Sequence, residues 1–313
     1  FTQFGANTGS GVLIDTATGS LATQFSAPAL RTNGSVAASV SDGSGGFFIA
    51  GNFTTIGTSA RNRIAHINAN GTLDANFIPN INGNVSALAR NGTDLYVGGD
   101  FTDINGTTRN RLALLSTVDG SLQSWNPDVN GSVMSMFFLN DVLYVGGIFT
   151  TIGLDTRNRV AAIDALPASL NYGVATAWDP NSDNMVYTIA LSADTLSVYV
   201  GGIYTTIGGQ ARNSLAEIDI TTALATAWNP DCGSAVHSLA VDGTDVYVGG
   251  QFTSFNAGIN PRNYVAEIIA DPLDLNYGQP TAWDPGPDSY VYALQVVAGS
   301  VYAGGEFINI GGQ

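Results

Sequence analysis

Carboxylates are almost the only titratable chemistry this chain offers. Its 313 residues carry 25 Asp and Glu against 10 basic side chains, and every basic one is arginine. There are two histidines, His66 and His237, and one cysteine, Cys232. Two histidines leave almost nothing for a histidine zinc site or a Ser-His-Asp arrangement. One cysteine excludes an intrachain disulfide and a cysteine metal cluster. Cys232 follows Asn229-Pro230-Asp231 with no basic neighbour to favour a thiolate, so it is a poor nucleophile. What remains is glycoside-type chemistry, in which two carboxylates flank a bond as acid and as base or nucleophile. Glu217, Glu267 and Glu306 are the only glutamates. Clustered carboxylates also suit Ca²⁺, and Asp179 to Asp183 and Asp284 to Asp288 are the nearest candidates, although neither matches a calcium loop. No catalytic residue and no metal ligand is assigned, and Ca²⁺ stays open as a cofactor.

The charge balance narrows the partners. A net charge of −15 repels phosphate backbones, so nucleic acid and anionic membranes are excluded. No apolar run approaches the ~18 residues of a spanning helix, so membrane insertion is not expected. The chain does not begin with Met, and a processed form or an excised piece is expected.

The elements that must position these groups are set by an internal repeat. Tyr96-Val97-Gly98-Gly99-Asp100-Phe101-Thr102 recurs from Tyr144, Tyr199 and Tyr247, with weaker copies from Ile49 and Tyr302. The aromatic anchors Phe53, Phe101, Phe149, Tyr204, Phe252 and Phe307 are spaced by 48, 48, 55, 48 and 55 residues. Both long spacings carry an insertion, Leu170-Asn171-Tyr172-Gly173 or Leu275-Asn276-Tyr277-Gly278. Each unit reads as four short strands. In the second, Val85, Ala87 and Ala89 alternate and Asn91-Gly92 turns the chain. Leu95 to Gly98, Leu112 to Leu115 and Leu122 to Trp125 follow, and Asn126-Pro127 stops the last. A loop through Ile104-Asn105-Gly106 joins the second strand to the third. No segment sustains a 3.6-residue period, so helix content should be near zero.

Six such units predict an all-β fold, a six-bladed β-propeller of four-stranded antiparallel blades forming one domain over residues 1–313. One blade cannot bury both faces alone, and blades packed around an axis can. The N-terminal strands Val12 to Asp15 and Leu21 to Phe25 would complete the last blade with Val291 to Leu294 and Val301 to Gly305. Phe307 to Gly311 duplicates Phe1 to Gly5, so a segment of a longer array is the alternative.

Three sets of residues stand out on this frame. Arg61, Arg109, Arg157, Arg212 and Arg262, each followed by Asn, share an end with the Trp-Asn/Asp-Pro turns. A guanidinium has five donors and can tie loop carbonyls of adjacent blades, so these are assigned to the frame. Trp125, Trp178, Trp228 and Trp283 recur at the fourth strand and are assigned to blade packing. The residue after the Gly pair varies, and Asp100, Gln251 and Glu306 are the candidate binding residues at one channel mouth. His237 falls on a first strand as a substituted core position. His66 falls on a third strand, equivalent to Leu114, Ala162, Glu217 and Glu267.

A strand ending in Gly-Gly, then a strand, then a Trp near the fourth strand is similar to the kelch pattern. The repeats resemble more closely the bacterial delta-60 repeat propellers, with Tyr-Val-Gly-Gly-x-Phe-Thr, Arg-Asn-x-Leu-Ala and Trp-Asn-Pro units. The resemblance implies a secreted or surface-displayed bacterial protein and no established catalytic residues. The expected function is a non-enzymatic module for adhesion, ligand binding or assembly, with other surface proteins or glycans as partners. The alternatives are a structural repeat of a surface fibre or layer, and a polysaccharide hydrolase or lyase with carboxylates near the axis.

Overall fold

The computed structural model describes residues 31–297 and 299–312. The strands expected within residues 1–25 lie outside the described residues, and of the blade they would complete the described part is the C-terminal hairpin. The chain divides into two compact units, Phe1–Asn140 and Asp141–Gln313.

The fold is all-β, and its described residues hold one short 3₁₀ turn, Asn256–Gly258. Unit 1 contains the sheet Val36–Ser41, Phe47–Gly51, Ile64–Ile67 and the sheet Val85–Asn91, Asp94–Gly99, Leu112–Ser116, then Val133–Leu139. Unit 2 pairs Val142–Gly147 with Val160–Asp164. It then forms the sheets Val186–Leu191, Ser197–Gly202, Leu215–Asp219 and Val236–Asp242, Asp245–Gly250, Val265–Ile269. It ends with the hairpin Val291–Val297, Ser300–Gly305. In each complete sheet the second strand is central and antiparallel to both neighbours.

The fourth strand is shorter than its sequence suggests. It holds the third strand through one bridge per repeat, such as Leu115↔Leu122 and Ile268↔Pro280. The cause is local. Gln123 N–H still donates to Leu114 O at 2.9 Å, but Arg109 takes the Gln123 carbonyl and Pro127 follows. The segment between the second and third strands is more ordered than a loop. It folds as a two-residue hairpin, for example Asp103–Ile104 with Thr107–Thr108.

The Gly pair does two separate jobs. A Cβ on Gly98 would lie 2.8 Å from Val133 Cγ1, so the first glycine lets the next repeat's valine seat on the sheet. A Cβ on Gly99 would lie 2.0 Å from Asn84 O, so the second lets the first strand cross close by. At that crossing the pairing jumps from Val85↔Gly99 to Ala87↔Gly98, which makes Ser86 the extra residue of a β-bulge. The anchors Phe53, Phe101, Phe149, Tyr204 and Phe252 are fully buried beside it. Tyr204 keeps its hydroxyl satisfied on Val200 O at 2.5 Å.

Candidate functional site

The recurrent polar residues are consumed by the frame. Arg109 Nη1 donates to Thr108 O at 2.9 Å and Nη2 to Gln123 O at 3.2 Å. Arg61, Arg157, Arg212 and Arg262 repeat both bonds. The carbonyls belong to the arginine's own repeat, so the expected tie to an adjacent blade is corrected to a clasp between the small hairpin and the fourth strand. The paired asparagines act likewise, with Asn110 Nδ2 on Asp128 Oδ1 at 2.7 Å and Asn213 Nδ2 on Asp231 Oδ1 at 2.6 Å. Trp125, Trp178 and Trp228 are buried and Trp283 is half-buried. Each packs edge-on or tilted against the second-strand tyrosine of its repeat, as in Tyr96–Trp125 with centroids 5.1 Å apart.

What varies sits at one end of each repeat, around the bulge. The bulged residue is Ala37 or Ser86 in unit 1, and Tyr187, His237 or Tyr292 in unit 2. The residue after the Gly pair lies beside it, because its N–H bonds the carbonyl just before the first strand (Asp100 to Asn84 O, Glu306 to Tyr290 O). A third position faces the second glycine. It is Arg63, Arg111, Arg159, Ser214 or Tyr264, always at positive φ between 60 and 72°. Its carbonyl accepts the second glycine's N–H at 2.8–2.9 Å in all five repeats. The backbone at this position is the same in every repeat while the side chain changes.

In unit 2 the bulged residues meet. Tyr187 stacks on His237 with centroids 4.9 Å apart at 25°, and His237 meets Tyr292 at 5.2 Å and 70°. Tyr290 extends the row to Tyr264 at 5.5 Å. Tyr292 is 40 % exposed, and its hydroxyl donates to Glu306 Oε1 at 3.1 Å. Gln251 stands beside the same hydroxyl and works against the shift of its titration. Burial, then the Glu306 carboxylate, raises the Tyr292 phenol above its ordinary value, and burial lowers the His237 imidazole. Two of the three candidate binding residues, Gln251 and Glu306, are thus brought together on Tyr292. Asp100 belongs to unit 1, where Ser132 donates to its carboxylate. The alternation pattern missed this row because no sequence signal marks which first-strand residue is the bulged one.

Four other acids are engaged in structure. Glu217 is buried and accepts from Ser197, Thr226 and Tyr277, each at 2.6 Å. Glu267 accepts from Tyr247 at 2.6 Å and from Thr281. Asp183 accepts from Thr205 and Thr206 N–H, and Asp288 from Ile308 and Asn309 N–H. Among the described residues no group of three His, Cys, Asp or Glu side chains is placed to hold a metal. Among the same residues, no helix is long and apolar enough to cross a membrane.

Comparison with known proteins agrees with this architecture. Residues 48–77 and 95–122 match the family model of a domain of unknown function (DUF5122) beta-propeller. The chain is similar to the computationally designed Ika8 protein (TM-score 0.54, 14 % identity, 88 % of this chain and 70 % of that one). It is also similar to the extracellular domain of BT4673 from B. thetaiotaomicron in two structures (TM-scores 0.55 and 0.52, 15 % identity, 93 % of this chain). It spans about a third of the length of those BT4673 chains, 34 %. No curated protein matches the chain. These likenesses support an all-β fold of β-propeller type, built from small antiparallel sheets.

Proposed function

We propose that the chain is a non-enzymatic binding module of a secreted or cell-surface bacterial protein, acting in adhesion, ligand binding or assembly. One observation carries this reading. Side chains change at three clustered positions per repeat, while the backbone and hydrogen bonds around them stay fixed. That is how a scaffold presents a recognition surface. The likeness to an extracellular domain supports the location. The full architecture proposed is a six-bladed ring of delta-60, kelch-like repeats, with residues 1–25 supplying the last strands.

The test is a screen of immobilised glycans and surface proteins with the labelled chain, followed by substitution. Asp100→Arg, Gln251→Arg and Glu306→Arg should abolish binding of any hit. Asp242→Asn, at the exposed turn of the opposite end, should not. Release of oligosaccharide from a bound polysaccharide would overturn the non-enzymatic reading.

A further inference from the structure

We infer that the aromatic row of unit 2 docks a basic segment of a partner polypeptide, with an arginine or lysine side chain over Tyr292 beside Glu306. The inference rests on the binding-module reading and names the partner's chemistry. Charge is the first support. Unit 2 holds 17 acidic residues against four arginines, a net charge of −13, whereas unit 1 holds eight against six, a net charge of −2. Three of those four arginines, Arg157, Arg212 and Arg262, are held on backbone carbonyls. Almost the whole negative field therefore belongs to the unit that carries the row.

The row itself is the second support. A tyrosine ring face attracts a cation within about 6 Å, and a carboxylate at the rim adds direct charge. Tyr292 is exposed and bonded to Glu306, and Tyr187, His237 and Tyr290 continue the row. His237 does not oppose a cation, because burial favours its neutral ring. The two repeats whose bulges are Tyr187 and His237 also lack a cation at the positive-φ position of this end. The positive-φ position is arginine at 63, 111 and 159 but Ser214 and Tyr264 where the aromatic bulges stand. Anionic ligands are repelled here, and a neutral sugar gains nothing from the field.

The experiment is fluorescence anisotropy of a labelled octapeptide of alternating Arg and Ser on the full chain, against the same peptide with citrulline for Arg. Binding of the Arg peptide is expected, with the citrulline peptide at least about tenfold weaker. Tyr292→Ala should weaken binding about fivefold, as a lost cation–π contact predicts, and Glu306→Gln by a similar factor. Asp242→Asn should change it less than about twofold, which separates the row from the general field. An unchanged melting temperature of each variant excludes misfolding. Equal binding of wild type and Tyr292→Ala, equal binding of both peptides, or no peptide binding each overturns the inference. If another ligand is lost on Glu306→Arg while no basic peptide binds, the inference falls and the binding-module reading stands. If no ligand responds to any substitution at this end, both fall.

Discussion

The indole Nε1–H of Trp228 donates to the carbonyl of Ile269 at 2.9 Å, which ties the end of one repeat to the third strand of the next. Trp178 makes the equivalent bond to Asp219 O at 3.1 Å. Both rings are buried, so each tryptophan supplies apolar area and a satisfied donor at the junction. Trp228→Phe should lower stability by about 1–3 kcal/mol, because the junction loses this bond, leaving the Ile269 carbonyl only the Gly278 N–H, and the pocket loses volume. Trp283→Phe should cost less. That ring is half-buried, and the residue is held through its backbone N–H, which donates to Thr281 Oγ1 at 3.0 Å. Urea titrations of the two variants side by side check the order.

The second of the two 55-residue spacings has a structural use. The insertion at 275–278 turns tightly, with Asp274 Oδ1 accepting Asn276 N–H at 2.7 Å, and delivers Tyr277 to Glu217 of the preceding repeat, 60 residues away. A buried carboxylate with no cation beside it depends on such donors. Tyr277→Phe should cost about 1–3 kcal/mol. Burial first, and Glu217 next, push the Tyr199 and Tyr277 phenols above their ordinary value. A phenol raised in the folded state contributes stability that is complete below about pH 10 and lost as pH climbs through the folded value. Melting temperatures from pH 8 to 11.5 should fall steeply above 10 in the wild type and less steeply in Tyr277→Phe.

These two links show what the chain exposes to reading and what it hides. Repeat spacing, Gly pairs and buried aromatic anchors were legible because each recurs in register with the strands. The Trp and Arg positions recur in the same register. The partner of each arginine was not legible, since a guanidinium reaches carbonyls at many sequence distances. The short hairpins were read as loop, because two-residue arms such as Asp103–Ile104 show no alternation. Bulges are invisible because one extra residue in a strand leaves the composition unchanged, so His237 reads as a substituted core position and nothing marks Tyr187 or Tyr292. Contacts made once, in one repeat, are hidden most completely, and His66 is the clearest of them.

His66 stands between two aspartates, with Nε2 3.1 Å from Asp42 Oδ2 and Nδ1 2.9 Å from Asp74 Oδ2. Its ring stacks on Phe48 at 4.4 Å. Both ring nitrogens are thus engaged by carboxylates from two different turns. Burial raises both acids, but hydrogen bonds outweigh it. Ser44, His66 and Gly46 hold Asp42 well below the usual carboxylate range, and His66 and Asn76 hold Asp74 below it. Acids lowered in the folded state give stability that is present above their unfolded value near 3.9 and lost as pH falls through the folded values. His66→Phe keeps an aromatic ring against Phe48 and removes both contacts to the aspartates. It should cost about 1–3 kcal/mol at pH 7 and flatten the fall in melting temperature between pH 4 and 2.

Cys232 tests burial directly. Its thiol is buried at a repeat junction, donates to Ser234 O at 3.4 Å, and belongs to the apolar cluster of Trp228, Val236 and Phe252. Burial first, with Asp231 adding and the Ser234 bond opposing, leaves its pKa pushed up to about 12. At pH 8 the folded chain therefore holds almost no thiolate, and the sulfur is shielded as well. Ellman's reagent should leave the native protein unlabelled over hours and label one thiol at once in 6 M guanidinium chloride. Labelling in water should proceed only through opening of this junction, so Trp228→Phe should accelerate it by the same factor by which it raises the open population. Rapid labelling of the native chain at pH 8 would show that the junction is not closed as described.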